Sequence, residues 1–286
     1  MNYRSVFRPG LFAEQAIIVT GGGSGIGRCT AHELASLGAT VALVGRKLDK
    51  LEKVRGEIVA AGGQASCHPC DIRDEPTVQA TVAAILKTHG AIHGLVNNAG
   101  GQFPSLLKDL SLRGWEAVVK NNLTGGFIFA RECYNQRMSG HGGAIVNIIA
   151  DIWGGMPTMG HSGAARAGML SFTETAACEW AHSGVRVNAV APGWIASSGF
   201  DTYGPEMHAE LRALKFKVPL QRYGTESEVS AAIVFLLSEA AAFITGSCVR
   251  VDGGVPNARH TWKLISHERS KPYEAFPLST PPKALL

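Results

Sequence analysis

Residues 16–46 constrain this chain more than any other stretch. They run from the apolar Ile17, Ile18 and Val19 through Thr20-Gly21-Gly22-Gly23-Ser24-Gly25-Ile26-Gly27 and a helical segment to a second apolar run over 41–44, which ends in Gly45 and Arg46. This is one strand, helix, strand unit. Its glycines fall at the first turn, where a backbone must approach a ligand closely and a helix must start against a strand. Gly21, Ser24, Gly25, Ile26 and Gly27 therefore read as a cradle for the phosphates of a dinucleotide, with the helix N-terminus supplying N–H donors and a partial positive charge. The spacing is G-x-x-x-G-x-G rather than G-x-G-x-x-G, and its setting between two apolar runs carries the reading.

The same alternation continues downstream. Helical spacing over 47–61 (Leu48, Leu51, Val54, Ile58) stops at Gly62-Gly63. Further strands are expected at 64–69, 92–96, 144–149, 185–190 and 248–251, and helices at 77–88, 112–138, 161–181 and 226–237. Apolar strands alternating with helices imply a parallel sheet covered on both faces. With 286 residues, 45% of them hydrophobic, one large core suffices, and the expectation is a single doubly wound α/β Rossmann domain over 1–254. Asn121 and Asn122 stand in the middle of the long helix, where asparagine is a poor former, so one of them should face inward for a reason. Over 194–223 the pattern dissolves into Ser, Gly, Pro and Tyr around one amphipathic piece, as expected of a lid or binding loop. The proline-rich, basic tail over 255–286 is expected to wander over the surface or onto a neighbouring subunit.

Other classes are excluded. The net charge of +4 is spread over scattered lysines and arginines, so nucleic acid is not an expected partner. No apolar run approaches the roughly 18 residues of a membrane span. Pro9 and Gly10 follow Arg4 and Arg8 where a signal peptide would need an apolar stretch. The six dispersed cysteines fit buried thiols in a reducing compartment, and a cytoplasmic setting is expected. Cys67-His68-Pro69-Cys70 invites a redox or zinc reading, but it falls on an expected strand and no second ligand pair exists; no metal site is expected.

Thr20-Gly21 with Gly25-Ile26-Gly27, then Asp71-Ile72, Asn97-Asn98-Ala99-Gly100, Asn122 within its helix, and Pro192-Gly193, taken in this order, resemble the short-chain dehydrogenase/reductase family over 12–254. The resemblance implies a seven-stranded doubly wound parallel sheet and a homotetramer. It also implies that Asp71 and Ile72 lie at the adenine, that Asn98, Ala99 and Gly100 shape the cofactor cleft, and that Pro192 and Gly193 lie beside the nicotinamide. Cofactor choice rests on the end of the second strand, where an acid would hold ribose hydroxyls and a base a 2′-phosphate. Arg46 and Lys47 stand there with no acid before Asp49, so NADPH is expected over NADH. The alternative is that the two basic residues merely begin a solvated helix.

The catalytic region departs from the family pattern of a tyrosine, a lysine four residues later and an upstream serine. Ser162 stands at the tyrosine position, Arg166 at the lysine position, and Ala150 or Asp151 near the serine, leaving Asn122 as in the family. A serine hydroxyl without a histidine partner does not replace a tyrosine acid, and arginine orients hydroxyls but relays no proton. Carbinol oxidation is therefore disfavoured. Reduction of a double bond conjugated to a thioester asks only for donors aimed at the developing enolate oxygen, which Ser162 and Asn122 can supply. Asp151 either gives the α-carbon its proton or caps a loop, and His161 either titrates beside Ser162 or is structural.

The segments Gly101-Gln102-Phe103, Asn121-Asn122-Leu123-Thr124-Gly125 and His161-Ser162-Gly163-Ala164-Ala165-Arg166 resemble the peroxisomal trans-2-enoyl-CoA reductase-like members. That resemblance implies an acyl-CoA substrate, with 2,4-dienoyl-CoA or carbonyl reduction, or cofactor binding alone, as alternatives. The chain ends Ala284-Leu285-Leu286 rather than in a Ser-Lys-Leu address, so peroxisomal import is not expected.

Overall fold

Seven strands form the frame of the computed structural model, which describes residues 5–258, 263–276 and 282–286. They are β1 (Ala16–Thr20), β2 (Thr40–Gly45), β3 (Gln64–Pro69), β4 (Gly94–Asn97), β5 (Gly143–Ile148), β6 (Val185–Pro192) and β7 (Cys248–Val251). All neighbours pair in parallel, in the order β3-β2-β1-β4-β5-β6-β7. The central strands are buried along their whole length, as a sheet with helices on both faces requires. Alternation assigns each side chain to a layer. Ile17, Val19, Val41 and Leu43 pack on one face with Leu34, Val229 and Ile233. Ile18, Ala42 and Val44 pack on the other with Val82, Ile85 and Phe129. Each buried Val, Leu, Ile or Phe side chain among them contributes about 1.5–3 kcal/mol by leaving water.

The helices follow their local signals. They are α1 (Gly25–Ser36), α2 (Leu48–Ala60), α3 (Glu75–His89), α4 (Leu112–Val119), α5 (Gly125–Cys133), α6 (Ser139–His141), α7 (Gly160–Glu179), α8 (His208–Leu214) and α9 (Glu226–Leu237). The Asp74 carboxylate caps α3 by accepting from the Thr77 N–H at 3.1 Å, and Gly90 ends it in the left-handed region. Thr225 and Glu228 form a capping box on α9.

Two expectations are corrected. The helix expected over 112–138 is not a uniform α-helix: π turns at Lys120–Thr124 and Tyr134–Met138 separate α4, α5 and α6. The first holds both asparagines, and the extra residue it accommodates turns Asn122 inward to 2% exposure. The fourth strand begins at Gly94 rather than at 92: the His93 N–H bonds Ala16 of β1 while its carbonyl accepts from Ala144 of β5, so its two backbone groups face opposite neighbours instead of joining one ladder. The described parts of the tail run over the surface, with residues 263–274 exposed or half-buried, and are pinned at two places. Ala275 and Phe276 are buried against Cys29, and Ala284 is buried against Phe200 and Leu211 of the 194–223 segment.

The cysteines are free, with Cys67 on the edge strand and Cys70 buried just after it. Among the described residues no three His, Cys, Asp or Glu side chains are grouped to hold a metal, and no helix is long and apolar enough to cross a membrane.

Candidate active site

The chain runs outward from β1 to β2 and β3, then crosses back to β4. A crevice therefore opens at the carboxyl ends of β1 and β4, where ligands bind in open α/β sheets. At the end of β1, Gly21 adopts φ +67°, and a Cβ there would stand 2.8 Å from Asn98 Nδ2 and 3.0 Å from Ala99 Cα. Thr20 Oγ1 accepts from the N–H groups of Asn98 and Ala99, both at 3.0 Å, and Asn98 Nδ2 donates to Thr20 O at 3.0 Å. The two cradle segments, 20–27 and 97–100, are thus stitched together. A side chain on Gly27 would meet Asn98 Nδ2 and the Gly21 carbonyl. Ser24 precedes α1 in extended conformation without capping it, Gly25 and Ile26 open the helix, and its first turn holds no acid. Its N–H groups are thereby left for an anion, and the residues present fit a dinucleotide.

A cleft of about 320 Å³ continues from this turn past Arg46, Lys50, Asp71, Ile72, Gly100 and Asn121. The Asp71 carboxylate is taken by Arg73, at 2.5 Å and 2.8 Å, and this bonding holds it down at a pKa of about 2. With Asp71 matched by Arg73, the charges of Arg46, Lys47 and Lys50 have no ion-pair partner among the described residues, which suits a phosphate.

Toward the other end of the crevice, Asn122, Ser162 and Arg166 come together from the π turn and from α7. Ser162 is wholly buried; its hydroxyl donates to Gln102 Oε1 at 2.5 Å, and Asn122 Nδ2 lies 3.4 Å from its oxygen. Asn122 Oδ1 accepts from the Gly101 N–H at 2.9 Å. Arg166 Nη1 donates to the Ile148 carbonyl at 2.5 Å, and its Nη2 lies so near Gly100 that a Cβ there would overlap it. Burial lowers its guanidinium to about 10, so it stays protonated at neutral pH, and its buried Nε has no partner among the described residues.

Asp151 lies in the loop after β5, and its N–H donates to Pro192 O at 3.2 Å, which brings it to the Pro192-Gly193 turn. Burial chiefly raises its carboxyl; the Trp153 N–H opposes this and Asp252 adds to it. One Asp151 oxygen is buried without a partner among the described residues. Gly193 packs so closely on Asp252 that a Cβ would stand 2.7 Å from its Cα. His161 is wholly buried with its ring edge against Phe103, centroids 4.7 Å apart, and neither ring nitrogen has a partner among the described residues, Ser162 included.

Sequence reasoning missed Gln102, Lys50, Asn121 and Asp252 as parts of this region. The signals were present: Gln102 lies inside a segment already set apart, and Lys50 is one helical turn past Arg46. Of the tyrosines, Tyr134 bonds Ser183 and Tyr223 the Leu211 carbonyl, both away from Asn122.

The fold and cradle define a Rossmann-type oxidoreductase that uses a nicotinamide cofactor. A family model described as enoyl-(acyl carrier protein) reductase matches residues 21–256. A protein of Bacillus subtilis (strain 168) described as a probable 2,4-dienoyl-CoA reductase is 37% identical over 247 residues, covering 84% of this chain and 96% of that one. A peroxisomal 2,4-dienoyl-CoA reductase of Danio rerio is 36% identical over 257 residues, covering 88% and 85%. The solved structure of a citronellol catabolism dehydrogenase (AtuB), from Pseudomonas aeruginosa PAO1, is 62% identical with a TM-score of 0.80, covering 89% of this chain and all of that one. The chain belongs to the short-chain dehydrogenase/reductase family.

Proposed function

We propose that the protein uses NADPH to reduce the double bond of a trans-2-enoyl-CoA thioester. The observation that carries this is the buried Ser162 hydroxyl. It is aimed at an acceptor in the crevice and backed by the Asn122 amide, and neither of these two partners could take its proton. Such a hydroxyl stabilises a negative oxygen but does not serve as base for a carbinol. The bound nicotinamide would supply the hydride. Ser162 and Asn122 would hold the thioester oxygen as charge builds on it, and the protonated Arg166 would orient the nicotinamide ribose. Asp151, its carboxyl raised by burial, is the candidate to protonate the α-carbon. Arg46, with Lys47 and Lys50 beside it, would favour the 2′-phosphate of NADPH over NADH, and the acyl-CoA names of two relatives support the substrate class. Family resemblance extends the proposal to a homotetramer.

Turnover of NADPH with enoyl-CoA thioesters of graded chain length tests the reading. Ser162→Ala should lower kcat about 10²- to 10³-fold; undiminished turnover would remove Ser162 from the mechanism. A second reading, dehydrogenation or reduction at a carbinol or carbonyl carbon, is favoured by the name of the solved citronellol catabolism dehydrogenase at 62% identity. Adding 2,4-dienoyl-CoA, 3-ketoacyl-CoA, citronellol and citronellal to the panel separates the two.

A further inference from the structure

The hydrogen bonds around Ser162 close into a ring. The Gly101 N–H donates to Asn122 Oδ1 at 2.9 Å, Asn122 Nδ2 donates to Ser162 Oγ at 3.4 Å, and Ser162 Oγ donates to Gln102 Oε1 at 2.5 Å. The circuit thus returns to the residue beside Gly101. A hydroxyl carries one hydrogen, and with Asn122 feeding its oxygen, that of Ser162 is committed to Gln102. The acceptor is a trigonal amide oxygen, the same kind of atom as an acyl carbonyl oxygen. Burial of the two partners is unequal: Ser162 is wholly buried and Gln102 is exposed. Gln102 can therefore swing into water with its amide still satisfied, whereas Ser162 needs an acceptor in place at all times.

We infer that Gln102 is a positioning residue whose amide oxygen marks the place of the substrate's carbonyl oxygen. Between turnovers it keeps the Ser162 hydrogen aimed at that place, and the incoming carbonyl displaces it. The inference rests on the reading of Ser162 as the carbonyl donor and applies to enoyl thioester and ketone substrates alike. Gln102 competes with the substrate by one hydrogen bond, so its removal should tighten apparent binding by about two- to tenfold. A carboxylate in its place would grip the hydroxyl harder, because charge-assisted hydrogen bonds are roughly twice as strong.

The experiment is steady-state kinetics with saturating NADPH and either crotonoyl-CoA or trans-2-decenoyl-CoA. The proteins compared are the wild type, Gln102→Ala and Gln102→Glu. The expected result is a KM about two- to tenfold lower in Gln102→Ala, with kcat/KM rising accordingly, and a raised KM in Gln102→Glu. An unchanged or higher KM in Gln102→Ala, or a lower one in Gln102→Glu, overturns the inference. A wild type that turns over neither thioester refutes the functional reading instead. The ring is then tested without substrate through the side-chain amide ¹H–¹⁵N signals of Gln102 in the wild type and in Ser162→Ala. Displaced signals support it, and coincident signals overturn it.

Discussion

Glu226 couples the stability of this fold to pH. It opens α9 at 5% exposure, directly under the glycine turn, where a Cβ on Gly25 would stand 3.8 Å from its Oε1. Burial pushes its carboxyl up from 4.5 to about 7, with Arg28 pulling the other way. The folded state thus holds the Glu226 proton more tightly than the unfolded chain does. The stabilisation is full below about pH 4.5 and is lost as pH rises to about 7, beyond which the buried charge burdens the fold. At 1.36 kcal/mol per pKa unit the swing is about 3 kcal/mol. Glu226→Gln keeps the shape and removes the titration. Urea unfolding of both proteins at pH 4.5 and pH 8 should show the variant gaining about 3 kcal/mol on the wild type between the two conditions. A difference between the proteins that is the same at both pH values would refute the burial argument.

Arg46→Ala should raise KM for NADPH about 10- to 100-fold, the loss of a hydrogen bond to a charged group, and leave KM for NADH nearly unchanged; equal effects on both would sink the 2′-phosphate assignment. If Asp151 delivers the proton, wild-type kcat should fall as pH rises through its raised pKa, because the acid must be protonated. Asp151→Asn should then give a flat, roughly 10²-fold lower profile, and a retained pH limb would reject the role. Phe276→Ala should cost about 3 kcal/mol in denaturant titration, since the ring is 4% exposed against Cys29; no change would mean that the tail is detached in solution.

Much of this architecture is written in short-range patterns. The apolar run Ile17, Ile18 and Val19, the φ that Gly21 must adopt and the stop at Gly62-Gly63 act within a few residues, and each strand and helix named from them is present. Boundaries that depend on distant partners moved. The fourth strand starts late because the His93 N–H bonds β1 while its carbonyl bonds β5, and the long helix carries a π turn where Asn122 reaches Gly101 and Ser162. The tail gave no periodicity to read, yet Phe276 and Ala284 find apolar sites on α1 and on the 194–223 segment.

The cofactor cradle and the basic end of β2 are contiguous motifs, so the nicotinamide class and the case for NADPH were available from the chain alone. The exchange of the usual tyrosine and lysine for Ser162 and Arg166 was available as well. Tertiary structure alone decided what the Ser162 hydroxyl meets, that Arg73 neutralises Asp71 while Arg46 finds no ion-pair partner among the described residues, and that Asp151 reaches Pro192 with Asp252 nearby. The reason is physical: a motif specifies its own backbone. A hydrogen bond between Gln102 and Ser162, 60 residues apart, exists only once the sheet order has brought β4 and β5 side by side.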